Sequence, residues 1–153
     1  MSDSEFPANG RIAGIDYGHV RIGVALSDPD RRFASPWETY TRQDAEADAK
    51  FFQRFVADER IVGFVVGLPV HMSGDESQKS REARVFGSWL HATTGLPICF
   101  HDERYSTADA NRLLFEARSK PKRAKQLRDK LAAQLILTSF LTMGDTHKPA
   151  PME

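Results

Sequence analysis

Apolar residues recur along this chain with two periods, and the changes of period predict its elements. From Arg11 to Asp16, Ile12, Gly14 and Asp16 fall on one face of a strand, Ala13 and Ile15 on the other. From Arg21 to Asp28, Ile22, Val24 and Leu26 alternate with Gly23 and Ala25. The two runs predict a hairpin-like pair around Tyr17-Gly18-His19-Val20, with small residues on one face leaving room for a helix or ligand. A third strand is expected over Phe33 to Tyr40, at an edge because Pro36 cannot donate to a ladder. The period then lengthens. After Gln43-Asp44, the spacing of Phe51, Phe52, Phe55 and Val56 predicts a helix. Ile61 to Gly67 is continuously apolar, as in a strand of a parallel sheet covered on both faces. Leu68 to Asp75 reads as the loop at its end. A second helix carries Ala83, Phe86, Trp89 and Leu90; Gly95 stops it, and Pro97 starts a strand to Phe100. Ser106-Thr107-Ala108-Asp109 fits the cap of a third helix. Asp129 opens a last, strongly apolar helix that runs to about Met143, with Gly144 as its C′ residue.

Strands first, then alternating helices and buried strands, indicate an α/β domain with a mixed sheet. The 153 residues are expected to form one domain over 11–143, between flexible tails at 1–10 and 144–153. Lys plus Arg and Asp plus Glu each number 21. This balance excludes a globally basic nucleic-acid binder but allows a local basic patch. Cys99 is the only cysteine, so no intrachain disulfide forms, and a buried strand thiol is expected. Met1 to Gly10 lacks the apolar core of a signal peptide, and no run reaches membrane-spanning length. A soluble cytoplasmic protein without membrane association is the expectation.

Three carboxylates come from segments that should meet: Asp16, Glu103 and Asp129. Asp16 and Glu103 follow apolar strand runs, and active sites of open α/β sheets collect beyond the carboxyl ends of strands. Asp129 shares its helical face with Ala132, Ala133, Ile136, Leu137 and Phe140, so it is the polar end of a buried stripe. Each has a plainer alternative. Asp16 could form a turn, Glu103 a surface ion pair within His101-Asp102-Glu103-Arg104, and Asp129 a favourable contact with the helix dipole. Asp102 competes with Glu103. Gathered acids repel one another, so a fold that collects them usually holds a divalent cation, here Mg2+ or Mn2+. Phosphodiester hydrolysis gives such a set a purpose. Residues 118–130 hold one third of all Lys and Arg, directly before Asp129. Lys120, Lys122, Arg123, Lys125 and Lys130 are therefore candidate phosphate contacts, with Arg21 and Arg104 nearer the other acids. This segment is expected to be mobile without substrate. The histidines show no zinc-protease spacing. His71 and His101 are expected to border the cleft, and His91 to lie on a helix surface.

These motifs together resemble the YqgF-type (RuvX-like) nuclease family. Gly14-Ile15-Asp16-Tyr17-Gly18 with Arg21-Ile22-Gly23-Val24-Ala25 resembles its opening, and Gly67-Leu68-Pro69 with Met72 and Gly74 its second block. Asp102-Glu103-Arg104-Tyr105-Ser106-Thr107 with Ala110 is similar to its third. Asp129, Ala132 and Ala133 with Ile136, Leu137 and Leu141 resemble its last. The resemblance implies an RNase H-like fold with a mixed five-stranded sheet flanked by helices. It also implies metal-dependent cleavage of nucleic acid by Asp16, Glu103 and Asp129. Family members are described as candidate nucleases in 5′ maturation of pre-16S rRNA and as candidate Holliday-junction resolvases. His19-Val20 stands where a polar–basic pair is usual, and His71 where Asn is common. In other resolvases of the superfamily the second acid ends the central strand; here that strand ends in Gly67-Leu68-Pro69, so Glu103 must substitute. A resolvase would favour a weak homodimer, whereas an rRNA-trimming enzyme could be monomeric. Two other classes fit parts of the pattern: an actin-like ATPase half, and a non-catalytic nucleic-acid-binding module.

Overall fold

A computed structural model describes residues 6–69, 77–103 and 121–147, with backbone alone at 121–126 and 144–147. Five strands form one mixed sheet: β1 (Arg11–Asp16), β2 (Arg21–Ser27), β3 (Ala34–Thr41), β4 (Ile61–Leu68) and β5 (Ile98–Asp102). Their order is β3-β2-β1-β4-β5. β1 pairs antiparallel with β2 and parallel with β4, and β4 parallel with β5. As expected, Pro36 lies on an edge strand. The β2–β3 register shifts between Val24 and Ala25, where Pro36 becomes Ala25's partner.

Alternation along the strands sorts the core into two layers. Ala13, Ile15, Ile22, Val24, Phe64 and Val66 face helices α1 (Ala45–Glu59) and α2 (Gln78–Thr94), whose Phe52, Phe55, Phe86 and Leu90 complete that layer. Ile12, Ala25 and Val65 face helix α3 (Pro121–His147), which contributes Ala133, Ile136 and Leu137. Fully burying one such Phe, Ile or Leu side chain contributes about 1.5–3 kcal/mol, so both faces of the sheet hold the domain together. Asp44 caps α1 by accepting from the Ala47 amide at 2.8 Å. Gly95 ends α2 with φ 77°, as its position after the apolar stripe predicts.

Three expectations need correction. The last helix begins at Pro121, eight residues before Asp129, and the basic residues Lys122, Arg123 and Lys125 are part of it. Proline is favoured in a first helical turn because its missing N–H has no intrahelical partner there. The helix also passes through Gly144 to His147 instead of ending near Met143. Glycine permits a C-terminal turn but does not require one. Nor is all of 1–10 loose: the Phe6 ring packs edge-on against Phe140 at 5.8 Å, and the Arg31 guanidinium lies 5.8 Å from its centroid. His71, the 68–75 loop beyond Pro69, Arg104, Lys120 and the helix expected after Ser106 lie outside the described residues.

Candidate active site

Glycines on the sheet set how closely α3 approaches. A Cβ at Gly14 would lie 2.8 Å from the Ala133 carbonyl oxygen. A Cβ at Gly23 would collide with the Asp129 carbonyl oxygen, and Gly23 is the cross-strand partner of Asp16. Bare backbone therefore lets the α3 turn carrying Asp129 settle beside Asp16. Asp16 itself ends β1 on the α3 side, in phase with Ile12 and Gly14.

Glu103 arrives from the next strand but one. Along β5, Phe100 packs in the α2-side layer, whereas His101 is buried with its Nε2 2.9 Å from Ser139 Oγ of α3. Asp102 follows the phase of Phe100, and Glu103 that of His101. A Cβ built on Gly67 would lie 2.7 Å from Glu103 Oε2 and 3.0 Å from its Cγ. The Glu103 side chain thus fills the space over the end of β4 that a side chain at position 67 would take. Gly67 follows Val66, which pairs with Ile15. This places Glu103 over the strand adjoining the one that ends in Asp16.

Electrostatics agree with that placement. Asp16 keeps some accessible surface, yet protein surrounds most of it, and its carboxyl is pushed up to about 8. Burial is the main cause. The negative field of Glu103 comes next, Lys79 opposes it, and Asp129 adds to it. The Glu103 carboxyl is also raised, first by burial; Lys79 acts against this and Asp102 with it. Asp129 is held by Arg21, Nε to Oδ2 at 2.7 Å. Among the described residues, no three acidic, histidine or cysteine side chains stand close enough to ligate one ion as they lie. The fields on Asp16 extend beyond ligation distance, so the two observations are compatible. Asp16 and Glu103 offer hard oxygens in a setting that disfavours two bare negative charges, which suits a hard divalent cation. Asp129 would join them either through Oδ1 or by exchanging Arg21 for the ion at Oδ2.

A family model described as RuvX, Holliday junction resolvase, matches residues 10–143. The chain belongs to the RuvX family. Among curated relatives, a protein of Rhodopirellula baltica named "Putative pre-16S rRNA nuclease" is 48% identical over 140 residues, covering 92% of this chain and 81% of that one. One of the same name from Rhodobacter capsulatus is 42% identical over 135 residues, covering 88% and 85%. RuvC of T. thermophilus, solved with a Holliday junction substrate, superposes with TM-score 0.55 at 16% identity over 88% of this chain and 96% of that one. The yeast mitochondrial Holliday junction resolvase gives 0.54 at 11% identity, covering 97% and 85%. These likenesses show an RNase H-like fold.

Asp16, Glu103 and Asp129 were the acids expected from the sequence; Lys79, whose charge reaches both Asp16 and Glu103, was not among the expected site residues. A signal was present. The first turn of α2 holds no acidic residue and carries Lys79 and Arg81, against the preference of the helix dipole. His101 does not border a cleft: burial and Ser139 make it a packing residue. His91 lies in the last turn of α2, half-buried, with Nδ1 2.7 Å from the Leu96 carbonyl. Cys99 is half-buried on β5. Among the described residues no helix is long and apolar enough to cross a membrane.

Proposed function

We propose that this RuvX-family chain is a divalent-metal-dependent nuclease that trims the 5′ end of pre-16S rRNA. Asp16 and Glu103 would hold Mg2+ or Mn2+, and Asp129 would complete the set. The observation that carries the reading is the Glu103 side chain over the bare end of β4, facing an Asp16 carboxyl raised to about 8. Two crowded carboxylates of this kind are disfavoured unless a proton or a cation intervenes. When bound, the cation supplies Lewis acidity toward a phosphodiester oxygen and an attacking water.

The chain's own groups do the rest. Arg21 steadies Asp129 until the site fills. Lys79 brings a positive charge to both Asp16 and Glu103, which would favour the approach of a phosphate. Lys120, Lys122, Arg123, Lys125 and Lys130 near the start of α3, with Arg104, would contact backbone phosphates and hold the substrate. The names of the 48% and 42% identical relatives support the rRNA substrate. A cytoplasmic monomer goes with that reading, because one cut needs one site.

The family description favours a second substrate, the four-way DNA junction. Symmetric cleavage would then call for a weak homodimer. A cleavage assay offering pre-16S leader fragments and four-way junctions side by side, with and without Mg2+ or Mn2+, separates the two. Metal-dependent cutting of the leader is expected. Cutting of the junction alone would favour the resolvase, and binding without cleavage of either would favour a non-catalytic module.

A further inference from the structure

On the α1/α2 side of the sheet, opposite the face that carries Asp16, lies a cavity of about 610 Å³ whose lining includes Tyr17, the residue after Asp16. Its wall is aromatic. The Tyr17 and Phe86 rings lie 5.0 Å apart at 35°, and Trp89 continues the row 5.4 Å from Phe86 at 31°. The Arg42 guanidinium lies 5.4 Å from the Tyr17 centroid, with Nη1 donating to the Tyr17 hydroxyl at 3.0 Å. At the mouth, Val85 is 71% exposed.

The lining charges cancel. Arg42 and Arg81 are matched by Asp48 and Glu82. Asp48 is engaged by the Tyr40 hydroxyl and by Arg42, and Glu82 by His19 and Gln78. A phosphate would meet no net positive charge here. A flat, uncharged ring with hydrogen-bonding edges suits the cavity better, because it can stack on aromatic and guanidinium planes and pair with amide and guanidinium groups. Position supplies the link to the site. Tyr17 follows Asp16 in sequence but points to the other face of the sheet, and Gln78 precedes Lys79.

We propose that this cavity takes up an unpaired nucleobase of the strand whose phosphate meets Asp16, so that recognition of an unpaired nucleotide and cleavage are coupled across the end of β1. The proposal rests on the nuclease reading above. It makes the chain selective for a strand with an unpaired nucleotide beside the cut.

The test reads binding in an Asp16→Asn background with Mg2+, so that probes survive. Two labelled probes are compared in RNA and in DNA form: a duplex with one unpaired nucleotide and the same duplex fully paired. Val85→Trp fills the mouth from an exposed position and should leave the fold intact; Tyr17→Leu removes one stacking plane but keeps bulk. Each variant is expected to weaken binding of the unpaired probe about tenfold, within the range of one base–aromatic stack. The paired probe should change by less than about twofold. Equal losses on both probes, no loss on either, or equal affinity for both probes before substitution would overturn the proposal. The nuclease reading fails separately, by absence of cleavage in the chain with Asp16 intact.

Discussion

Arg21 Nε stands 2.7 Å from Asp129 Oδ2, which ties the first residue of β2 to the α3 turn beside Asp16. Both side chains are only partly exposed, so the pair fixes direction more than it stabilises; such pairs contribute about 0–1 kcal/mol. If Asp129 must leave Arg21 to reach a cation, Arg21 competes with that cation. Arg21→Gln should then cost less than about 1 kcal/mol in metal-free stability yet increase the rise in melting temperature on adding Mg2+. Melting curves with and without Mg2+ check this. An unchanged rise would mean that no cation displaces Arg21 from Asp129.

The glycine positions make a steric prediction. Gly23→Ala sets a methyl against the Asp129 backbone, which cannot yield without moving α3. Gly63→Ala meets the ring edge of Phe6, a side chain that can turn aside. Overpacking costs about 1–3 kcal/mol. Gly23→Ala should reach or exceed the upper end and abolish cleavage, whereas Gly63→Ala should stay near the lower end and remain active. Urea unfolding of the two variants, with a cleavage assay of each, tests the contrast.

A raised Asp16 carboxyl has a definite consequence for stability. Folded, the group keeps its proton up to about pH 8; unfolded, it releases it near its usual 3.8. Between those values the native state binds the extra proton, so stability falls as pH rises from about 4 toward 8. Asp16→Asn removes this dependence. In metal-free buffer at pH 8 it should melt higher than the parent, by about 2–4 °C for each kcal/mol relieved. Mg2+ should stabilise the parent at pH 8 and leave Asp16→Asn nearly unchanged. A parent whose stability rises over that pH window would contradict the burial of this carboxyl.

The basic residues near the start of α3 should act on binding, not on chemistry. Replacing Lys120, Lys122, Arg123 and Lys125 by Gln should flatten the salt dependence of nucleic-acid binding. Each lost phosphate contact changes the slope of log K against log salt by about 0.9 on duplex DNA and about 0.7 on single strands. Cleavage at saturating substrate should persist. An unchanged slope would show that these charges are merely solvated.

The sheet was legible because its signals are local. Alternation in Ile12 to Asp16 and in Ile22 to Leu26 sorts residues between two faces, and the apolar run before Gly67 marks the covered central strand. The ends of α3 were not legible: its apolar stripe begins only near Leu131, whereas the turns before Asp129 are polar and need no core contact to be helical. Phe6 was missed because its partners, Phe140 and Gly63, lie far along the chain. In the site, helical phase predicted the sheet-facing side of Asp129, and Glu103 was singled out by the apolar run that precedes it, with the family resemblance adding that it must stand in for an acid absent from the end of β4. Arg21's tie to Asp129, 108 residues away, depends on tertiary placement that no spacing encodes, and the basic first turn of α2 marks Lys79 as atypical without saying which carboxylates it reaches.

In the proposed function, Asp16 anchors a cation-dependent nuclease site. Cleavage of an end-labelled pre-16S leader fragment, followed for the parent and Asp16→Asn across Mg2+ and Mn2+ concentrations, tests it most directly. The variant keeps the side chain's shape but removes the charge of a hard-metal ligand. The parent should cut only with metal present, and Asp16→Asn should bind with similar affinity but lose cleavage by at least about a thousandfold, roughly 4 kcal/mol of transition-state stabilisation. Full activity in a folded Asp16→Asn protein, or cutting by the parent in excess chelator, would contradict the account.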